Sequence, residues 1–134
     1  MSLARTAIPH ANSSYNVVDS SGWLEYFSDT AQAEQFLPAL EDTNNLLVPI
    51  ITIYEVFKLT RRLGDEDGAR RVVETMRRGR VVDVNLKLAL NAACNGLPLA
   101  DSLIYATARE FGATLWTQDS HFAGLPGVKF FPKP

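Results

Sequence analysis

Four carboxylates in this 134-residue sequence stand where a strand-like run ends or a helix-like run begins. Asp19 follows Val17-Val18, Glu55 closes Thr52-Ile53-Tyr54-Glu55, Asp101 comes after the Gly96-Leu97-Pro98 turn, and Asp119 follows Leu115-Trp116-Thr117-Gln118. Open parallel sheets bind ligands beyond the carboxyl ends of their strands, so these acids could share one sheet edge. At about 5 Å and an effective dielectric near 20, each pair of ionised carboxylates repels by roughly 3 kcal/mol. Such a cluster must hold protons or a cation. An oxygen donor set suits Mg²⁺ or Mn²⁺, ions that activate water and stabilise charge on a phosphodiester under in-line attack. Ser20, Thr52, Ser102 and Thr117 stand beside the acids, with hydroxyls placed to hold a metal-bound water or a phosphate. Each acid also has a plain structural role open to it. Thr52-x-x-Glu55 fits a capping box, Asp19 and Asp101 fit helix N-caps, and Asp119 fits an Asx turn.

Other chemistries lack their residues. There is no Gly-x-Gly-x-x-Gly or Gly-x4-Gly-Lys phosphate loop, no His-Glu-x-x-His and no Gly-x-Ser-x-Gly elbow. The two histidines, His10 and His121, stand near the start of the chain and in a late loop. The single cysteine, Cys94, excludes an internal disulfide and any Cys-x-x-Cys zinc pair. In Ala92-Ala93-Cys94 it reads as a small buried residue, and its solitude suits a reducing compartment, the cytoplasm. The longest apolar run, residues 46–54, is interrupted by Pro49 and Thr52 and falls well short of the ~20 residues of a membrane span.

These acids must be positioned by a fold, and the hydropathy pattern outlines it. Hydrophobic residues make up 46% and charged residues 21%, the balance of a globular domain. Short apolar runs at 15–19, 46–49, 80–84, 114–117 and 128–131 read as strands. Between them, 23–27, 32–40, 52–63, 65–78, 85–95 and 101–111 read as helices, several of them stopped by glycine. Strands alternating with helices indicate βαβ units and a parallel sheet covered on both faces. Residues 1–14 are expected to be a flexible leader or a cloning remnant, leaving 15–134 as one α/β domain.

With these elements in place, the sequence resembles the PIN-domain family, specifically the VapC-type ribonuclease toxins of toxin–antitoxin pairs. The resemblance rests on Val17-Val18-Asp19-Ser20-Ser21-Gly22-Trp23-Leu24-Glu25-Tyr26-Phe27, Thr52-Ile53-Tyr54-Glu55-Val56, Leu99-Ala100-Asp101-Ser102-Leu103-Ile104-Tyr105-Ala106-Thr107-Ala108 and Leu115-Trp116-Thr117-Gln118-Asp119-Ser120-His121-Phe122, in that order. It implies a five-stranded parallel sheet of order 3-2-1-4-5, a metal site of Asp19, Glu55, Asp101 and Asp119, and hydrolysis of RNA by metal-activated water. It also implies a homodimer and a cognate antitoxin. Some relatives carry a further Asp two residues after the fourth acid. His121 stands there instead and is expected to be an ordinary loop residue.

Net charge sharpens this reading. The whole chain carries −2, yet residues 58–80 hold eight of the thirteen Lys and Arg against four acids, a local charge of +4. Lys58, Arg61, Arg62, Arg70, Arg77 and Arg78 in this segment are candidate contacts for RNA or for an acidic antitoxin segment. Two solvated helix faces with Glu66–Arg70 and Glu74–Arg78 pairs would explain the same charges. An alternative function is a non-catalytic RNA- or protein-binding module of the same fold. A phosphoacceptor domain built on Asp19 lacks the adjacent acidic pair expected of it.

Overall fold

Val17 and Val18 are adjacent, and both are fully buried. In a strand, neighbouring side chains point to opposite faces, so both faces at this point are covered. Val17 packs with Leu47, Leu115, Ile104, Ala108 and Phe122. Val18 packs with Trp23, Phe36, Leu46, Val48, Val56, Met76 and Trp116. The computed structural model describes residues 15–134, and the expected leader at 1–14 lies outside them.

The strands are β1 (Asn16–Val18), β2 (Leu46–Pro49), β3 (Arg80–Val82), β4 (Thr114–Thr117) and β5 (Val128–Phe130). They form one sheet in the order β3-β2-β1-β4-β5, every pair parallel, as expected. The helices are α1 (Ser20–Phe27), α2 (Leu37–Leu40), α3 (Ile50–Leu63), α4 (Glu66–Met76), α5 (Leu86–Ala93) and α6 (Leu99–Glu110). Because every strand runs the same way, all strand carboxyl ends lie along one edge. The order reverses between β1 and β4, which makes their ends the natural ligand crevice.

Local chemistry adjusts several boundaries. The expected helix over 32–40 splits into a 3₁₀ stretch, Ala31–Phe36, followed by α2. Pro38 sits in the first turn of α2, where its missing N–H removes no hydrogen bond. The third strand stops at Val82 rather than Val84. Cys94, expected to be buried, is exposed, because it follows the last turn of the short α5. On α4, Ala69 and Met76 are buried as expected, whereas Val72 and Val73 are only half-buried. The expected Glu66–Arg70 pair forms at 2.8 Å. Glu74 pairs with Arg77 rather than Arg78, while Arg78 lines a cleft beside α1 together with Trp23, Tyr26 and Glu41.

The position of α1 depends on Gly22. A Cβ there would stand 2.5 Å from Val18 Cγ1 and 2.8 Å from the Phe36 ring. Gly22→Ala is expected to destabilise the protein by about 1–3 kcal/mol, since α1 must move off the sheet. The check is a lowered urea midpoint with an unchanged slope.

Candidate active site

Asp19 is the first residue beyond β1 and the N-cap of α1. Its Oδ1 accepts from the Gly22 N–H at 3.2 Å and from Ser21 Oγ at 2.7 Å, so the cap reading of this residue holds. Its Oδ2 accepts from Thr117 Oγ1 at 2.7 Å across the β1–β4 boundary. Strand register explains this meeting, because Val18 pairs with Trp116 and so sets Asp19 beside Thr117. Thr117 in turn accepts from the Asp119 N–H at 2.9 Å, which links the two acids through one hydroxyl. Asp19 is 3% exposed. Burial pushes its carboxyl up to about 6; the three hydrogen bonds oppose that rise, and the charge of Asp119 adds to it.

Asp101, Asp119 and His121 come together from α6 and the β4 end. Nδ1 of His121 lies 2.8 Å from Asp101 Oδ2 and 3.2 Å from Asp119 Oδ1. Burial raises the Asp101 carboxyl above its ordinary range, the Asp119 charge adds to this, and His121 opposes both. The Asp101 hydrogen bond and the Asp119 charge raise the His121 imidazole in return. One ligand atom from each of the three residues falls within 4.8 Å of the others, a spacing and donor chemistry that fit a divalent cation. Asp119 also forms the expected Asx turn, accepting from the His121 N–H at 2.9 Å. The turn that follows Asp119 thus aims the His121 ring at two carboxylates.

Asp101 does not cap its helix. It is the third residue of α6, whose N-cap is Pro98. The Thr52–Glu55 capping box is likewise absent, because α3 begins at Ile50 behind Pro49. Thr52 is fully buried and donates to the Pro49 carbonyl at 2.6 Å. Ser102 donates to the Leu99 carbonyl at 2.6 Å. Both hydroxyls satisfy the first turns of their own helices, so neither is turned toward the acids as expected. Ser20 and Thr117 do serve the acids. Thr117 holds Asp19, and Ser20 donates to Glu55 Oε1, tying α3 to the first residue of α1. Of the four expected metal acids, Asp101 and Asp119 stand in the tight group with His121, while Asp19, linked through Thr117, and Glu55, linked to Ser20, lie outside it.

The rim has two unlike sides. Glu55, Lys58 and Arg62 share one groove on α3, which places two of the expected basic contacts beside an acid of the site. Arg61, Arg70 and Arg77 are instead engaged with Glu66 or Glu74. The other side is lined by Ser21, Gln118, Asp119, Ser120, Phe130 and Lys133. Here Gln118, buried at the end of β4, donates through Nε2 to Glu25, which Thr30 Oγ1 also bonds at 2.7 Å. Those two donors, Gln118 first, hold the Glu25 carboxyl below its ordinary value. Ser21 and the Glu25–Gln118 pair have no counterpart among the site residues expected from sequence, and His121 is expected there only as a loop residue. Their one signal was position, since each lies within a few residues of Asp19 or Asp119.

A family model described as PIN domain matches residues 17–128. Among solved structures, a toxin-antitoxin complex from Klebsiella pneumoniae is similar with a TM-score of 0.73 and 24% identity, over 88% of this chain and 99% of that one. DNA-bound VapBC from Salmonella typhimurium is similar at 0.68 and 15% identity, over 89% and 98%. Mycobacterium tuberculosis VapC20, described as a Sarcin-Ricin loop cleaving toxin, is similar at 0.70 and 18% identity, over 87% and 99%. No curated protein matches the chain by sequence.

Proposed function

We propose, since the chain belongs to the PIN domain family, that it is a metal-dependent endoribonuclease and the toxin of a toxin–antitoxin pair. The observation that carries this reading is the group of Asp101, Asp119 and His121 beside the end of β4, with the buried Asp19 at the end of β1 joined to Asp119 through the Thr117 hydroxyl. The likeness to toxin-antitoxin structures supports the same reading. Asp101 and Asp119, with Asp19 joined to Asp119 through Thr117 and Glu55 held by Ser20, would hold Mg²⁺ or Mn²⁺. The ion, when bound, would activate water and stabilise charge on the scissile phosphodiester.

The chain's own residues do the positioning. Ser21, Thr117 and the Gly22 N–H fix the Asp19 carboxylate, and Ser20 fixes Glu55. Lys58 and Arg62 on α3 would draw the RNA backbone toward Glu55. The partners of this reading are RNA, an antitoxin that covers the groove, and a second copy of the chain. No helix among the described residues is long and apolar enough to cross a membrane, and the proposed location is the cytoplasm.

The test is metal-dependent cleavage of single-stranded RNA, with thermal melting alongside it. Millimolar Mg²⁺ or Mn²⁺ is expected to raise the melting temperature, since an ion at a hundredfold its dissociation constant adds about 2.7 kcal/mol to the native state. EDTA should remove both the shift and the cleavage. Protein that binds RNA or a partner protein, shows no metal shift and cuts no RNA would be a binding module instead.

A further inference from the structure

The loop carrying His121 is built more firmly than its exposure suggests. The His121 side chain is 57% exposed. The residues before and after it are fixed. Asp119 caps the short 3₁₀ turn Ser120–Phe122 through the His121 N–H, and Phe122 is fully buried in the core beneath α6. Pinned on both sides, the imidazole presents Nδ1 to Asp101 at 2.8 Å and to Asp119 at 3.2 Å. A hydrogen bond to one carboxylate would suffice to tether the loop. Nδ1 instead stands between two carboxylates from different elements.

We propose that His121 is a nitrogen ligand of the cation site and biases it toward Mn²⁺ over Mg²⁺. The inference deepens the metal-site reading above and rests on it. Two ligands on one ion with bonds of about 2.2 Å are at most ~4.4 Å apart. The 4.8 Å span of the Asp101, Asp119 and His121 atoms reaches that limit with a small side-chain adjustment. Both ions favour oxygen ligands, but Mg²⁺ is the harder ion and sheds water reluctantly, whereas Mn²⁺, a first-row transition ion, tolerates one nitrogen among its oxygens at smaller cost. An acid set joined by one nitrogen therefore favours Mn²⁺ more than an all-carboxylate set would.

The experiment measures Mn²⁺ and Mg²⁺ binding by calorimetry to the full chain, to His121→Ala and to His121→Asp. Mn²⁺-loaded samples are also read by electron spin-echo spectroscopy for coupling to ¹⁴N. His121→Ala should weaken Mn²⁺ by about tenfold or more and Mg²⁺ by less. His121→Asp should bind Mg²⁺ better than His121→Ala does, while losing the preference for Mn²⁺. Nitrogen coupling should be present in the parent protein, absent in His121→Ala and retained in His10→Ala, since the chain has only two histidines. Because the His121 side chain is largely exposed, metal-free His121→Ala should stay folded, while metal-free His121→Asp should melt lower because it sets a third carboxylate beside Asp101 and Asp119. Bound Mn²⁺ without nitrogen coupling, or equal weakening of both ions, would overturn the role of His121 and leave the acid site standing. No binding of either ion by the parent would instead overturn the metal-site reading itself, and this inference with it.

Discussion

Asp101→Asn is expected to lower the rate of RNA cleavage by about a thousandfold or more while the protein stays folded. The size follows from the charge the carboxylate contributes. A metal site supplies several kcal/mol of charge stabilisation, and about 1.4 kcal/mol corresponds to a factor of ten in rate. The fold survives because Asp101 caps nothing, and the partner of its carboxylate, His121, is largely exposed. Asn is nearly the same shape and also removes the Asp119 repulsion that helps raise the Asp101 carboxyl. The check is cleavage of end-labelled RNA in Mg²⁺ or Mn²⁺, beside a melting curve. Cleavage at the parent rate would sink the assignment of Asp101. Lost cleavage with an unfolded protein would show a structural residue instead.

Asp19→Asn is expected to stabilise the metal-free protein near neutral pH and to remove the proposed nuclease activity. Asp19 is buried with a carboxyl raised from an ordinary 3.8 to about 6, which corresponds to about 3 kcal/mol. The sign follows from proton counts. Between those two values the folded protein holds the proton more tightly than the unfolded chain, so stability from this group falls as pH rises. Below 3.8 both states are protonated and the cost is absent; above about 6 it is fully expressed. Asn never carries that charge, and its amide can keep the hydrogen bonds to Ser21, Thr117 and the Gly22 N–H through one oxygen and one reoriented donor. The variant should therefore melt higher than the parent near neutral pH, with the gap closing as pH falls through the window. Bound Mg²⁺ or Mn²⁺ should narrow the gap, because it stabilises only the parent's charged site. A variant less stable than the metal-free parent at neutral pH would mean that the hydrogen bonds outweigh the buried charge.

These two acids illustrate how far sequence reasoning reaches. Asp19 follows a strand and caps a helix, and both facts come from a few neighbouring residues. Its short apolar run ends at a Ser-Ser-Gly segment, so its place at the sheet edge was readable in advance. Asp101 was readable as a helix-start acid, but the N-cap assigned to it belongs to Pro98. Thr52 and Ser102 failed for the same reason. Their hydroxyls stood near acids in sequence, yet a first-turn hydroxyl finds its own helix carbonyl first, at 2.6 Å in both cases. Glu55 joined the site through a partner 35 residues away, which no local pattern reports.

Short apolar runs, glycine stops and helical spacing are local quantities, and they sufficed for the strands, the helices and the parallel class of the sheet. Burial on both faces leaves runs such as Leu46-Leu47-Val48 uniformly apolar, which makes that class legible without a structure. The aim of His121, the locking of Gln118 by Glu25 across 93 residues, and the exposure of Cys94 were decided only by packing. Side-chain direction depends on which distant elements lie opposite, and that information is absent from any window of neighbouring residues. The sequence thus determined the strand ends and helix starts at which the acids stand, and the tertiary structure decided that Asp101 and Asp119 meet and that a histidine stands between them.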